Sequence, residues 1–337
     1  MKSVRIGVST NFKRNFVMIK RRANPYKSHD VLRLHSSEVN SSLNTVYNTF
    51  LKKIKETDFK FYPNMNEIYD KISNFLNIQH FILGSGSDRC LKYFFETYRD
   101  YKNIIITSPT FPMYNVYGKL YNFDIKEVDY KDNKVDVDNI ISNIDVDSLV
   151  VLSNPSSPIG DVIDIEDIKR ILDTGTKVLV DEAYIEFSNA KTSLELINSY
   201  DNLYVTRSFS KAYGSAGVRC GVIISNENNI NELYQYRDMY EITGPTIKWI
   251  ESVLENLNIF QTHIKKVISN RDNIINFCMD NNIEVVESQS NWIHIRGDFE
   301  LPDDIIFRKN CTIPDMGDGW VRLQITDDLN DYKWILK

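Results

Sequence analysis

Seven short runs of apolar or β-branched residues recur through the middle of this chain, at Phe81 to Leu83, Asn103 to Thr107, Phe123 to Val128, Leu149 to Ser153, Lys177 to Val180, Leu203 to Thr206 and Cys220 to Ile224. Each is too short for a stable helix and rich in the residues that suit a pleated strand. Several of the gaps carry a different period. Ser87 to Tyr98 and Ile165 to Leu172 set apolar residues three and four apart among charged ones, the mark of a helix lying on a sheet. Runs that alternate in this way predict an α/β domain on a mostly parallel sheet of seven strands, with helices on both faces.

After Asn228 the pattern changes. A helical stretch is expected from Ile230 to about Asn282, broken near Thr243 to Thr246, followed by short strands at Glu284 to Val286, Trp292 to Arg296 and Trp320 to Thr326. That order predicts a smaller α+β domain, completed by the N-terminal segment. The expected division is an arm and part of the small domain over 1–50, a large domain over 51–235 and a small C-terminal domain over 236–337. A chain of 337 residues, 42% hydrophobic, can bury cores of that size.

The remaining composition narrows the function. A net charge of −6 argues against general attraction to nucleic acid or an anionic membrane, and the richest basic run, Lys13 to Arg22, is short and interrupted. No stretch approaches the roughly 18 apolar residues that a membrane span needs. Cys90, Cys220, Cys278 and Cys311 show no paired spacing, which suits a reducing cytoplasm. The five histidines lack any ligand spacing, so no metal site is expected.

Chemistry concentrates where predicted strands end. The densest motif, Ser208-Phe209-Ser210-Lys211-Ala212-Tyr213-Gly214-Ser215-Ala216-Gly217-Val218-Arg219, sits between two strand candidates. A lysine that must attack an aldehyde has to lose its proton, and a neighbouring cation such as Arg219 favours that loss. Leu83-Gly84-Ser85-Gly86-Ser87-Asp88 runs from a strand through a glycine turn into a helix start, where backbone N–H groups attract an anion. A dinucleotide loop would need glycine at the position of Arg89. Asp181 ends a continuous apolar run, just ahead of Tyr184, and Asn154 opens the turn Asn154-Pro155-Ser156-Ser157-Pro158-Ile159-Gly160. Pro109-Thr110-Phe111-Pro112-Met113-Tyr114 offers Phe111 as an aromatic face.

Together these elements resemble, in kind and in chain order, the site of the fold-type I pyridoxal phosphate aminotransferases, over about residues 34–326. The resemblance implies the three-layer sheet domain of that fold type and a pyridoxal 5'-phosphate cofactor held by Lys211 as a Schiff base. Gly86, Ser87, Asp88, Ser208, Ser210 and Arg219 would surround its phosphate. Phe111 would stack on its ring, Asp181 would pair with the ring nitrogen, and Asn154 and Tyr184 would reach the 3-hydroxyl. Lys211, Asp181 and Tyr184 are the candidate catalytic residues.

Within that superfamily the chain is most similar to the histidinol-phosphate aminotransferases and threonine-phosphate decarboxylases. The similarity is carried by Leu34 to Asn40, Phe61-Tyr62-Pro63, Gly86-Ser87-Asp88, Ile306-Phe307-Arg308 and Val321-Arg322-Leu323. It implies a homodimer in which Tyr62 reaches the neighbouring subunit's cofactor phosphate. It also implies that Arg322 clamps a substrate carboxylate and Arg308 contacts a distal anionic group, with Tyr26 a third candidate for substrate contact. Ser37, Val39, Asn40, Arg89 and the stretch Met239 to Thr243 depart from the family pattern close to the substrate. Transamination of a small keto or phosphorylated substrate is the expected reaction. Decarboxylation of an amino acid phosphate is the alternative, since both use the same lysine and ring.

Overall fold

A computed structural model describes residues 32–336 apart from 298–299, 301, 303–304 and 315, so the candidate Tyr26 lies outside the described residues. In chain order the strands are β1 (Leu32–Arg33), β2 (Phe81–Gly84), β3 (Asn103–Ser108), β4 (Asp124–Lys131), β5 (Lys134–Val135), β6 (Ser148–Ser153), β7 (Lys177–Asp181), β8 (Leu203–Ser208) and β9 (Gly221–Ile224). Five more follow: β10 (Glu284–Val286), β11 (Trp292–Arg296), β12 (Ile305–Ile306), β13 (Arg308–Ile313) and β14 (Gly317–Gln324).

The large sheet runs β2-β9-β8-β7-β6-β3-β4-β5. Its centre, β8 to β4, is parallel, while β9 is antiparallel to both neighbours. The apolar runs are continuous because helices cover both faces. Ile104, Ile106, Leu149 and Val151 pack on one side with the helix Ser87–Thr97, while Ile105, Val150, Leu152 and Val178 pack on the other with the helix Ile165–Leu172.

The sheet has eight strands where the sequence predicts seven. The added strand, β5, is a two-residue edge paired antiparallel with β4, with Lys131 opposite Lys134. The turn between them, Asp132-Asn133, has both residues at positive φ (53° and 59°), the conformation that lets a two-residue hairpin follow the natural strand twist.

The small sheet, β10-β11-β14-β13, is antiparallel throughout. Its β13 was not expected from the sequence, because Arg308-Lys309-Asn310-Cys311-Thr312-Ile313 lacks an apolar alternation. The expected long helical stretch is three helices, Glu227–Leu233, Gly244–Leu254 and Leu257–Asp280. Thr243 caps the second, its side chain accepting from Thr246 N, with proline in the first turn. Ile242, Ile247 and Ile250 pack beside Phe81, Leu83 and Val222, so this second helix lies against the large sheet. The third helix supplies Val267, Ile274 and Ile275 to the core under the small sheet.

Topology fixes where a site can form. β2, β3, β6, β7 and β8 all end at one edge of the large sheet, and β9 begins there. Ligands of open α/β sheets bind outside that edge.

Candidate active site

A cavity of about 390 Å³ opens at this edge, lined by Phe111, Asp181, Tyr184, Lys211, Arg219 and Arg308 among others. Lys211 follows the end of β8 by three residues and points its Nζ to Ser36 O, 2.9 Å away, and 5.5 Å from the Tyr184 ring centre. The N-terminal segment thus closes over the lysine from above. Ser37, at φ 56°, turns that segment and offers its Oγ to Arg322 Nη2 at 2.9 Å.

Asp181 is the last residue of β7 and is buried. Tyr114 Oη and Thr206 Oγ1 donate to its carboxylate at 2.9 and 2.8 Å. Burial pushes its carboxyl upward, against the pull of these two bonds and of the Ala183 N–H. Among the described residues no cation pairs with it. A buried acid of this kind suits a ligand that brings a protonated nitrogen.

The opposite end of the cavity suits an anion. The helix Ser87–Thr97 begins there with no side-chain cap, so the N–H groups of Ser87 and Asp88 can face a ligand, while Arg89 N donates to Gly86 O at 3.1 Å. Arg219 holds the turn, donating to Ala216 O, Ser85 O and Ser210 Oγ at 3.3, 3.4 and 3.5 Å. Gly86 has a φ of 81°, and a Cβ there would stand 2.3 Å from Arg219 Nη2. Ser87, Asp88, Ser208 and Ser210 line the same pocket, with Ser208 Oγ accepting from Ser210 N at 3.1 Å.

Tyr184 is surrounded by cations. Burial raises its phenol, yet Lys211, Arg322 and Arg308 outweigh that effect and hold it below the usual tyrosine value. Arg322 is buried on β14, 3.8 Å above the Trp292 ring, and burial together with Arg308 pulls its guanidinium down to about 10. Arg308 stands opposite Arg322 on β13 and donates to His35 O at 2.8 Å.

Two candidates sit differently from the sequence expectation. The Asn154 carboxamide exchanges hydrogen bonds with the backbone of Ile163, at 3.1 and 3.0 Å, and so works first as a clamp on its own loop. Only its second Nδ2 hydrogen is left for a ring hydroxyl. Tyr62 stands away from this chain's cavity, 79% exposed and stacked on Tyr240 at 4.3 Å.

The sequence reading had Tyr114 in the Phe111 motif and Ser36 in the Leu34 to Asn40 segment, but it gave a role to neither of them nor to Thr206. Tyr114 lies three residues beyond Phe111, beside it on the first turns of the helix Pro112–Leu120, and the two rings meet edge to face at 5.6 Å. Thr206 is the register partner of Asp181. Helical spacing hints at the first; only strand pairing reveals the second. Among the described residues no group of His, Cys, Asp and Glu is placed to hold a metal, and no helix is long and apolar enough to cross a membrane.

The family described as aminotransferase class I and II matches residues 30–331. A histidinol-phosphate aminotransferase of Pyrococcus furiosus is 31% identical over 229 residues, which are 66% of this chain and 67% of that one. Among solved structures, histidinol-phosphate aminotransferase of Sinorhizobium meliloti in complex with pyridoxal-5'-phosphate superposes with a TM-score of 0.76 at 18% identity, covering 87% of this chain and 86% of the other. L-threonine-O-3-phosphate decarboxylase of Porphyromonas gingivalis has the same TM-score of 0.76 at 16% identity, covering 91% and 97%.

Proposed function

This chain belongs to the class I and II aminotransferases, and from that membership we propose that its substrate is a small phosphorylated amine or keto compound of the histidinol-phosphate type. Pyridoxal phosphate is the cofactor and transamination the reaction. The cofactor supplies an electron-withdrawing ring that stabilises negative charge at the substrate carbon bearing the amine. The observation that carries the substrate reading is the charge arrangement. Lys211, Arg219 and Arg308 line one cavity with Arg322 behind them, more cations than a cofactor phosphate alone requires.

The residues fit the cofactor. Gly86 and Gly221 leave room that a Cβ would fill, at a helix start suited to phosphate, and Asp181 is a buried acid lacking a cation. Ser87, Asp88, Ser208, Ser210 and Arg219 would hold the phosphate. Phe111 would pack on the ring, Asp181 would face its nitrogen, and Tyr184, with the spare Asn154 hydrogen, would face its hydroxyl. Lys211 Nζ would take the proton from the substrate carbon and return it on the product side. Lys211 Nζ donates to Ser36 O at 2.9 Å, and entry of the cofactor has to replace that contact. Arg322 orients one substrate anion through its flat fork, and Arg308 meets a second.

We further propose a homodimer. Phe59, Phe61, Tyr62 and Met239 are 65% to 82% exposed, an aromatic surface that supports burial against a second copy. Tyr62 then extends toward the partner subunit's phosphate site.

The test mixes holoenzyme with glutamate or histidinol phosphate and follows cofactor absorbance together with keto product. Stoichiometric change with both, and turnover when an acceptor is added, is expected. Unchanged absorbance with every amine, or carbon dioxide release from phosphothreonine without an acceptor, overturns the proposal.

A further inference from the structure

His294 on β11 is 1% exposed, yet neither ring nitrogen has a hydrogen-bond partner. In the small sheet it stands directly opposite Arg322, which in turn stands opposite Arg308. Residues opposed across antiparallel strands share a face, so the three side chains form one row. Alternate residues share that face too. Gln324 with an unpaired Oε1 lies on one side of the row, and Trp320 with an unpaired indole Nε1 lies on the other. Unmet polar capacity is therefore gathered on a single face, around two guanidinium groups.

Buried polar groups are almost always paired, and an apolar residue in this strand position would avoid the cost altogether. Arg322 is itself a buried cation with Arg308 opposite it, and a buried charge is unfavourable until an anion joins it. Arg322 bonds Ser37 and Tyr184, and among the described residues no carboxylate pairs with it. An oxyanion entering past Arg308, which lines the cavity, would relieve both defects.

We propose that His294 is a specificity-determining residue, the third member of a His294–Arg322–Arg308 row that hydrogen-bonds a second oxyanion of the substrate, beyond its α-carboxylate, either a phosphate ester or a side-chain carboxylate. Burial, then the charges of Arg322 and Arg308, push its imidazole down to about 3, so the ring stays neutral. It offers one N–H to the oxyanion and adds no charge to an already cationic face. This inference rests on the transaminase reading and adds to it the residue that tells a substrate with a second oxyanion from one that has only its α-carboxylate.

The experiment compares wild-type holoenzyme with His294→Leu and His294→Gln, using phosphoserine, glutamate and alanine as donors with one common keto acceptor. The preference in kcat/KM for phosphoserine or glutamate over alanine should fall about tenfold in the leucine variant, mostly through KM, the scale of one hydrogen bond to a charged group. Glutamine, which keeps a donor, should hold the preference within about threefold of wild type. Whichever donor loses its advantage identifies the oxyanion. Preferences unchanged in both variants, or equal losses with all three donors, overturn the proposal. If wild type turns over none of them, the transaminase reading is at fault, and calorimetric titration of the holoenzymes with inorganic phosphate decides His294 alone. Weaker binding by the leucine variant only supports the proposal, and equal binding by all three proteins overturns it. Should the leucine variant not fold, His294→Met replaces it in each comparison.

Discussion

Tyr114 Oη donates a 2.9 Å hydrogen bond to Asp181 Oδ2, joining the first turns of a helix on one face of the large sheet to the buried end of its β7 strand. With Thr206 on the other carboxylate oxygen, Asp181 is fixed on both sides before any ligand arrives. Such a carboxylate keeps its orientation, and it lines the cavity.

Tyr114→Phe removes a donor to a buried carboxylate while leaving the ring. A hydrogen bond to a charged group contributes about 1.5–3 kcal/mol, so cofactor affinity should fall roughly tenfold to a hundredfold. Titrating the cofactor-free protein with pyridoxal phosphate measures this. Equal affinity in the two proteins would mean that Thr206 and the Ala183 N–H suffice.

Tyr184 should ionise below an ordinary tyrosine. Its phenol sits beside Lys211, Arg322 and Arg308, whose charges favour phenolate, so on raising the pH it loses its proton earlier. The absorbance difference between wild type and Tyr184→Phe isolates this group from the other tyrosines. Replacing Arg322 with methionine should move the transition to higher pH. No movement would show that the guanidinium leaves the phenol unaffected.

The glycine at the start of β9 should resist replacement. A Cβ at Gly221 would stand 2.3 Å from Ser87 N, a backbone atom at the phosphate-facing helix start. Gly221→Ala should cost about 1–3 kcal/mol or more in stability, visible as a lower Tm, and should weaken cofactor binding by displacing that helix. A variant with wild-type Tm and affinity would show that the helix start yields freely.

Subunit sharing predicts complementation. Lys211→Ala alone should lose roughly a thousandfold or more in turnover, and Tyr62→Ala should weaken cofactor retention. In the proposed dimer, mixed pairs of the two would contain one intact site, built from Lys211 of one chain and Tyr62 of the other. Recovered activity after co-refolding is the expected outcome. Activity no greater than the sum of the separate variants would remove Tyr62 from the neighbouring site.

The layered sheet was legible because continuous apolar runs and three-and-four spacing are local signals, fixed by the need to bury two faces of a strand and one face of a helix. The places of the glycine turn, Lys211, Asp181 and Arg219 were equally legible, since each ends or flanks such a run. Asn154 shows the limit. Its place in the turn was evident, but its bonds to Ile163 depend on how nine intervening residues fold back.

What the sequence determined by itself, then, is the order of the seven long strands of the large sheet, the helices between them and the identity of the groups at their ends, but not the short edge strand β5 or the polar β13. Tertiary structure alone decided which groups face one another. Tyr114 and Thr206 meet Asp181, and His294 meets Arg322, through helix docking and strand register, and a shift of one residue would turn either strand's side chains to the opposite face. Pairing across a sheet is a long-range choice made by the burial of whole faces, and nothing in the residues adjacent to His294 records which cation it will lie beside.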